Sequence, residues 1–285
     1  MRIARLLLRS SARPRVALER DGVLYDVETL ERELGQAVPI PGDPWDFHTR
    51  VVALGCAGLA ELDRKLLQGQ RPSSARIGET GFAMLAPVDT ERAAYVHVRP
   101  GARELARSLH VGHAPSIAGN DALVDLPEGD AKPTFELGIG VLVGDELRSA
   151  TRAEAKQAIV GCAIVVDWST SAPTHLRPAA GLRVQLGPVL VPSMALGNIA
   201  ALRLSARVGE REVAIGSLVD DRATVEDVLV GVSHEVTLRA GDLVGIGPIA
   251  RGSSEALGLP LAMHERLTVS MERVGTLRGS AVPRR

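Results

Sequence analysis

Hydrophobic residues in this chain recur mostly at intervals of two or in short continuous runs, a pattern that is typical of β-strands. The pattern predicts strands over residues 93–98, 135–143, 164–167, 184–190, 200–208, 211–218, 242–246 and 266–271. Residues 1–26 predict two more short strands with a turn at Asp21-Gly22. The tail from residue 279 carries no strong pattern, and we expect it to fray.

Helical spacing is confined to a few segments. Hydrophobic residues three and four positions apart predict an amphipathic helix over residues 48–67. Shorter helices are predicted over residues 28–34, 102–109, 152–160 and 224–233. Thr151 and Glu154 have the spacing of a capping box at the start of one of them.

Together these elements predict an α+β, β-rich fold in which a mixed sheet rolls into a barrel-like structure. Residues 1–78 would form a small N-terminal α/β module with its linker. Residues 79–285 would form a larger, catalytic-type domain, and this division suits a chain of 285 residues.

Composition narrows the possible partners and the compartment. Lys plus Arg number 33 and Asp plus Glu number 34, so no basic surface for nucleic acid is expected. Cys56 and Cys162 lie in apolar surroundings and predict reduced thiols in a cytoplasmic protein. The apolar run in the first nine residues is too short for a signal peptide. Pro192 and Gly197 interrupt the longest apolar stretch, so no membrane association is expected.

Two acidic residues stand out in the apolar strands. Glu136 lies inside one predicted strand and Asp167 ends the next. A carboxylate in such a position is costly to bury unless it is paired or bound to a metal ion, and Mg²⁺ often takes only one or two protein carboxylates. The alternative, which spacing alone favours, is that Glu136 and Asp167 pair with arginine or backbone N–H groups.

The segment 135–144, Phe-Glu-Leu-Gly-Ile-Gly-Val-Leu-Val-Gly, and Asp167-Trp168-Ser169 resemble the metal-binding core of the fumarylacetoacetate hydrolase family. Residues 16–27, 85–88, 233–234, 241–242 and 275–278 resemble the family's N-terminal module, linker and C-terminal signatures. The resemblance implies a divalent cation, Mg²⁺ or else Ca²⁺ or Mn²⁺, and a small dicarbonyl or 2-oxo acid substrate. It also implies a homodimer.

The metal-binding motif is incomplete. The family's second glutamate is Gly138 here, and the segment that should carry its substrate-binding arginine reads Ser169-Thr170-Ser171-Ala172. By resemblance, the metal ligands would be Glu136 and Asp167, with His97 in place of an aspartate.

The catalytic residues implied by the resemblance depend on the register of the segment around residue 100. In one register Glu104 takes the position of the family's catalytic histidine, and in another Arg103 takes it. His175 is a further acid or base candidate near Asp167, because the pKa of histidine lies near neutral pH. A solvated loop histidine is the alternative. Four residues are candidates for contact with the substrate: Trp168, Ser169, Ser171 and Gly247.

Two functions follow from this pattern. The first is a divergent enzyme that acts on an enolisable dicarbonyl or 2-oxo acid by hydrolysis, decarboxylation, tautomerisation or cyclisation, with a biosynthetic role as one possibility. Metal-stabilised enolates are the basis of such chemistry. The second is a family member without activity that serves as a binding or scaffold subunit, since several site residues have changed together.

Overall fold

The structure, a computed structural model, describes residues 1–35, 47–78, 81–88, 93–100, 109–113, 117–126, 132–171 and 183–284. The α-helices described are α1 (Val27–Glu33), α2 (Phe47–Leu67), α3 (Arg152–Ala158), α4 (Ser193–Leu196) and α5 (Val225–Glu235).

The strands fall into two mixed sheets. The larger sheet contains β1 (Arg2–Leu8), β2 (Arg15–Arg20), β3 (Val23–Asp26), β4 (Phe82–Leu85), β5 (Ala94–Val98), β6 (Leu109–His113), β7 (Ile117–Ala118), β9 (Pro133–Val143), β10 (Ile159–Thr170), β11 (Arg183–Pro192) and β14 (Leu243–Ile246). The smaller sheet contains β8 (Ala122–Leu126), β12 (Leu204–Val208), β13 (Arg211–Gly216), β15 (Arg266–Met271) and β16 (Gly275–Pro283).

The large sheet runs in the order β3-β2-β1-β11-β10-β9-β14-β5-β6, with β4 beside β1 and β7 beside β11. The small sheet runs β13-β12-β15-β16-β8. Most neighbours are antiparallel, and β14 with β5 is one of the parallel pairs. The two longest strands, β9 and β10, lie side by side near the middle of the large sheet.

Each face of the large sheet covers its own hydrophobic core. On β10, Ile164 and Val166 belong to a core shared with the small sheet, α3 and α5. Ala163 and Val165 belong to a second core shared with α1 and α2. This alternation follows from the strand period of two residues, and it explains why β9 and β10 read as nearly continuous apolar runs.

The predicted α+β, β-rich class is confirmed, and each of the eight strands predicted beyond residue 90 is present. The barrel-like description goes too far, because the two sheets do not close on themselves within the described ranges. The predicted helix over 102–109 lies outside those ranges, except that Leu109 begins β6. The division into a module at 1–78 and a domain at 79–285 stays a prediction. In the structure β1 pairs with β11, so strands from both parts share one sheet.

Three local expectations were wrong in detail, although the predicted turn at Asp21-Gly22 and the predicted helix over 48–67 are both present. The first 26 residues form three strands, and Asp21-Gly22 turns β2 into β3 with positive φ at both residues. The long helix is interrupted at Gly55, where φ is 56°. The C-terminal tail does not fray, because β16 pairs with both β15 and β8.

The N-terminal helices carry a buried ion pair. Arg50 on α2 donates to Glu31 on α1, and the two side chains are 7% and 2% exposed. This buried ion pair therefore connects two helices that cover one face of the sheet.

None of the helices in the described ranges is long and apolar enough to cross a membrane.

We expect Arg50→Met to lower the free energy of unfolding by about 3–5 kcal/mol, because it leaves the Glu31 carboxylate buried without its cation. Arg2→Met removes the more exposed Arg2–Glu19 pair and should cost less than about 1 kcal/mol. Chemical denaturation of both variants checks the difference. Equal losses would contradict the energetic distinction between these two pairs.

Candidate functional site

The two acidic residues of the motif lie directly opposite each other. In the antiparallel register of β9 and β10, Asp167 is the partner of Glu136. Their side chains therefore share one face of the sheet, at the distance of a cross-strand pair. Val165, two residues before Asp167, belongs to the core on that face. The carboxylates thus sit at the end of an apolar surface.

Asp167 is surrounded by polar side chains from β5. The Tyr95 hydroxyl lies 3.0 Å from both Asp167 carboxylate oxygens and donates to them. His97 Nε2 lies 3.5 Å from Asp167 Oδ2. All three residues are at most 3% exposed. Together they form a Tyr95–His97–Asp167 cluster within the sheet.

A glycine on β14 makes room for this cluster. A Cβ atom on Gly245 would collide with the Tyr95 hydroxyl. Gly245 pairs with His97 on one side and with Gly140 on the other. The absence of a side chain on this strand lets the Tyr95 hydroxyl reach Asp167.

Burial governs the ionisation of this cluster. Desolvation raises the pKa of Asp167 to about 7, and the charge of Glu136 adds to the rise, while the hydrogen bond from Tyr95 opposes it. Burial and the neighbouring Asp167 charge raise the pKa of Tyr95 well above its usual value. Asp167 therefore changes its charge near neutral pH, and Tyr95 stays a hydrogen-bond donor.

Glu136 lies at the more open edge of the site. Arg99, just beyond β5, donates from Nη2 to Glu136 Oε1 at 2.7 Å. The Arg99 and Glu136 side chains are 52% and 26% exposed. The pairing of an acidic motif residue with an arginine, which the spacing alone had favoured, is thus present at Glu136.

The predicted substrate contacts are divided between the two faces of β10. Ser169 lies on the face of Asp167, two residues along, with its Oγ 2.6 Å from Thr134 Oγ1. Ser171 follows the end of β10, and its Oγ accepts from the Lys132 N–H at 3.0 Å. Trp168 points to the opposite face, is fully buried, and donates to Gln185 Oε1 at 3.1 Å. Its ring is therefore not beside the Asp167 carboxylate.

Gly247 lies where β14 passes the site. Its N–H donates to the Val98 carbonyl at 3.0 Å. A Cβ on Gly247 would be 3.3 Å from Gly138 Cα, and one on Gly138 would collide with the Ile246 carbonyl oxygen. The main chain after β14 therefore fills the space into which a side chain at position 138 would project.

The structure thus brings together Glu136, Asp167 and His97, three of the predicted site residues. The candidates Glu104, Arg103 and His175 lie outside the described residues. Sequence reasoning missed Tyr95 and Arg99. Their signal was their spacing, since positions 95, 97 and 99 point to one side of an extended chain.

The described residues do not fit the divalent cation that the family resemblance implied. Glu136 is bound to Arg99, and Asp167 accepts from Tyr95. The family's second glutamate position is filled by main chain at Gly138. In the described ranges, no three His, Cys, Asp or Glu side chains are arranged to hold a metal ion.

Comparison with known families supports the sequence resemblance. The family described as Fumarylacetoacetate (FAA) hydrolase C-terminal matches residues 83–282, well over half of the chain. None of the curated proteins matches the sequence significantly.

Solved structures with the same fold match over the whole chain. Maleylpyruvate hydrolase from Sphingobium sp. SYK-6 has a TM-score of 0.74 at 18% identity, with 100% of both chains covered. The same hydrolase has also been solved with manganese(II) and pyruvate. A fumarylacetoacetate hydrolase from Exiguobacterium antarcticum has a TM-score of 0.71 at 19% identity, covering 100% of both chains. A 2-hydroxyhepta-2,4-diene-1,7-dioate isomerase from Mycobacterium marinum has a TM-score of 0.67 at 17% identity, covering 100% of this chain and 99% of its own.

Asp167→Asn should change how stability depends on pH. A carboxyl whose pKa is raised on folding contributes stability below its unfolded pKa and loses it as pH rises through about 7. Relative to Asp167→Asn, the wild-type free energy of unfolding should therefore fall between about pH 4 and pH 7, by on the order of a few kcal/mol. Urea denaturation at a series of pH values measures this difference.

Asp125→Asn is a matched control with the opposite sign. Arg183 holds the pKa of Asp125 below its usual value, through a hydrogen bond. Asp125 therefore contributes stability above its unfolded pKa and loses it as pH falls. If wild type and Asp167→Asn gave parallel curves, Asp167 would not be perturbed as described.

Proposed function

Because the chain belongs to the fumarylacetoacetate hydrolase family, we propose that it is a divergent enzyme that acts on an enolisable dicarbonyl or 2-oxo acid. The reaction proceeds through an enolate, and proton transfer at Asp167 is its central step. The solved relatives include both hydrolases and an isomerase. Proton abstraction next to a carbonyl is a step that isomerisation, decarboxylation and C–C cleavage can share.

The observation that carries the proposal is the Tyr95–Asp167 contact. A buried carboxylate that accepts a hydrogen bond on both oxygens has a fixed position, and a base that titrates near the working pH is efficient in general acid–base catalysis. Asp167 accepts the proton from the carbon next to the carbonyl and returns it later. Tyr95 is a positioning residue that holds and partly stabilises the carboxylate.

The rest of the site can serve the same step. Ser169 lies on the Asp167 face, and its hydroxyl and that of Ser171 are candidate donors to a substrate oxygen. The Gly247 N–H is already bonded to the Val98 carbonyl, so Gly247 would contact the substrate only through its backbone surface. Glu104, Arg103 and His175 remain predicted acid, base or charge-stabilising groups. We also propose a homodimer, which light scattering in solution would test.

A second function, a binding or scaffold subunit without activity, is favoured by two features. Asp167 is only 3% exposed, and the space beside Gly138 is filled by main chain. Both would also be expected if the site had lost its reaction.

We expect the wild-type protein to catalyse exchange of the C3 protons of 2-oxo acids with D₂O, because enolate formation releases those protons. NMR of pyruvate and longer 2-oxo acids measures the exchange rate. Asp167→Asn should lower the rate by at least about 10²-fold, the usual contribution of a general base. The wild-type rate should rise with pH through about 7, as the carboxyl loses its proton.

Tyr95→Phe separates positioning from simple structural damage. Because the Tyr95 hydrogen bond lowers the pKa of Asp167, its loss should move the midpoint of the pH–rate profile upward. Asp125→Asn should leave both the rate and the midpoint unchanged. No exchange on any enolisable substrate, with folded protein, would reject the enzyme and favour the binding subunit.

A further inference from the structure

We propose that the guanidinium of Arg99 takes the place of the family's divalent cation and binds the carboxylate of a 2-oxo acid substrate. The site would then work without a metal ion and would select acids over neutral dicarbonyls. This inference rests on the proposed function, because it assigns the substrate class of the same site.

The first step of the argument is the backbone at Gly138. A Cβ atom there would collide with the Ile246 carbonyl oxygen and lie 3.0 Å from its carbonyl carbon, which are backbone atoms. A carboxylate at position 138 is therefore incompatible with this path of the main chain after β14. One anionic ligand of the family site has been replaced by a neutral peptide group.

The second step is the charge at Glu136. Its carboxylate binds Arg99 at 2.7 Å, so the pair carries no net charge. A divalent cation requires anionic oxygen ligands, and here it would have to displace a guanidinium that already neutralises one of them. Arg99 instead presents a guanidinium at the edge of the site, and its bond to Glu136 restrains its position.

The third step concerns the donors of Arg99. A guanidinium has five N–H groups, and within the described residues the Arg99 guanidinium bonds only to Glu136. Its side chain is 52% exposed. Donors are therefore left for a ligand, while Glu136 restrains where they point.

The fourth step is the position of Arg99 relative to the base. Arg99 follows His97 by two residues on the same side of the chain, and Glu136 lies between Arg99 and Asp167 through the register of β9 and β10. The planar guanidinium suits a carboxylate, which it can bind with two parallel hydrogen bonds. A 2-oxo acid bound in this way would place its enolisable carbon toward the Tyr95–His97–Asp167 cluster.

The test uses oxalate, a planar dianion that mimics the enolate of a 2-oxo acid, and calorimetry in the presence of EDTA. We expect wild-type protein to bind oxalate without metal. Arg99→Met should weaken binding at least tenfold, and Arg99→Lys should bind with intermediate affinity, because it keeps the charge but loses the paired donors. Glu136→Gln should bind at least as tightly as wild type, since it removes a nearby negative charge.

Arg152→Met is the matched control. Arg152 forms a similarly exposed pair with Asp227 on the surface, so its loss should leave oxalate binding unchanged. Circular dichroism confirms that each variant is folded. If Arg99→Met does not fold, Arg99→Lys and Glu136→Gln still decide the question, because a metal site would lose oxalate in Glu136→Gln.

Oxalate binding that appears only after Mn²⁺ is added, or that is lost in Glu136→Gln, would overturn the proposal. So would unchanged binding in Arg99→Met. Asp167→Asn separates this result from the proposed function. This variant should keep oxalate binding while losing proton exchange. If Asp167→Asn still exchanged protons, Asp167 would not be the base, and the binding role of Arg99 would be unaffected.

Discussion

The register between β9 and β10 determines what the site contains. These two strands pair along almost their whole length, and Asp167 meets Glu136 across the ladder. A shift of one residue between the strands would turn one of the two carboxylates to the opposite face, into the core that contains Phe135 and Trp168. The large apolar surfaces on both faces of the strands hold this register. The positions of the two carboxylates therefore follow from packing that extends far beyond the site.

Glycines on this face then decide how close the neighbouring strands come. Gly245 allows the Tyr95 hydroxyl to cross β14, and Gly138 allows the main chain after β14 to approach β9. The first contact supplies a donor to a buried carboxylate, and the second removes space for another ligand. The same property, the lack of a Cβ atom, thus helps to build the Tyr95–His97–Asp167 cluster and excludes a carboxylate at position 138.

The sequence predicted most of the strands because β9, β10 and β11 are long apolar runs, and local pattern suffices for them. It missed β4, β6, β7, β8 and β16, most of which are short. β8 pairs with β16, which is distant in the chain, so a tertiary contact stabilises it; β16 also forms a hairpin with β15 that the sequence pattern did not reveal. It identified Glu136, Asp167 and His97 through family motifs and position. It missed Tyr95 and Arg99 as partners, because the strand that carries them reaches β9 only by way of β14. The contact between Tyr95 and Asp167 spans 72 residues of sequence, and no local pattern encodes it.

The change from glutamate to glycine at position 138 is more than the loss of one ligand. If only a side chain had been lost, water or a small cavity would be expected where the carboxylate had been. In this chain the Ile246 carbonyl occupies that direction, and the Gly247 N–H is engaged with Val98. Restoring glutamate at position 138 would therefore require the segment after β14 to move, and a collision with backbone cannot be relieved by a change of rotamer. The lack of a carboxylate at position 138 thus follows from the path of the main chain. The ion pair between Arg99 and Glu136 is consistent with a site that lacks this carboxylate.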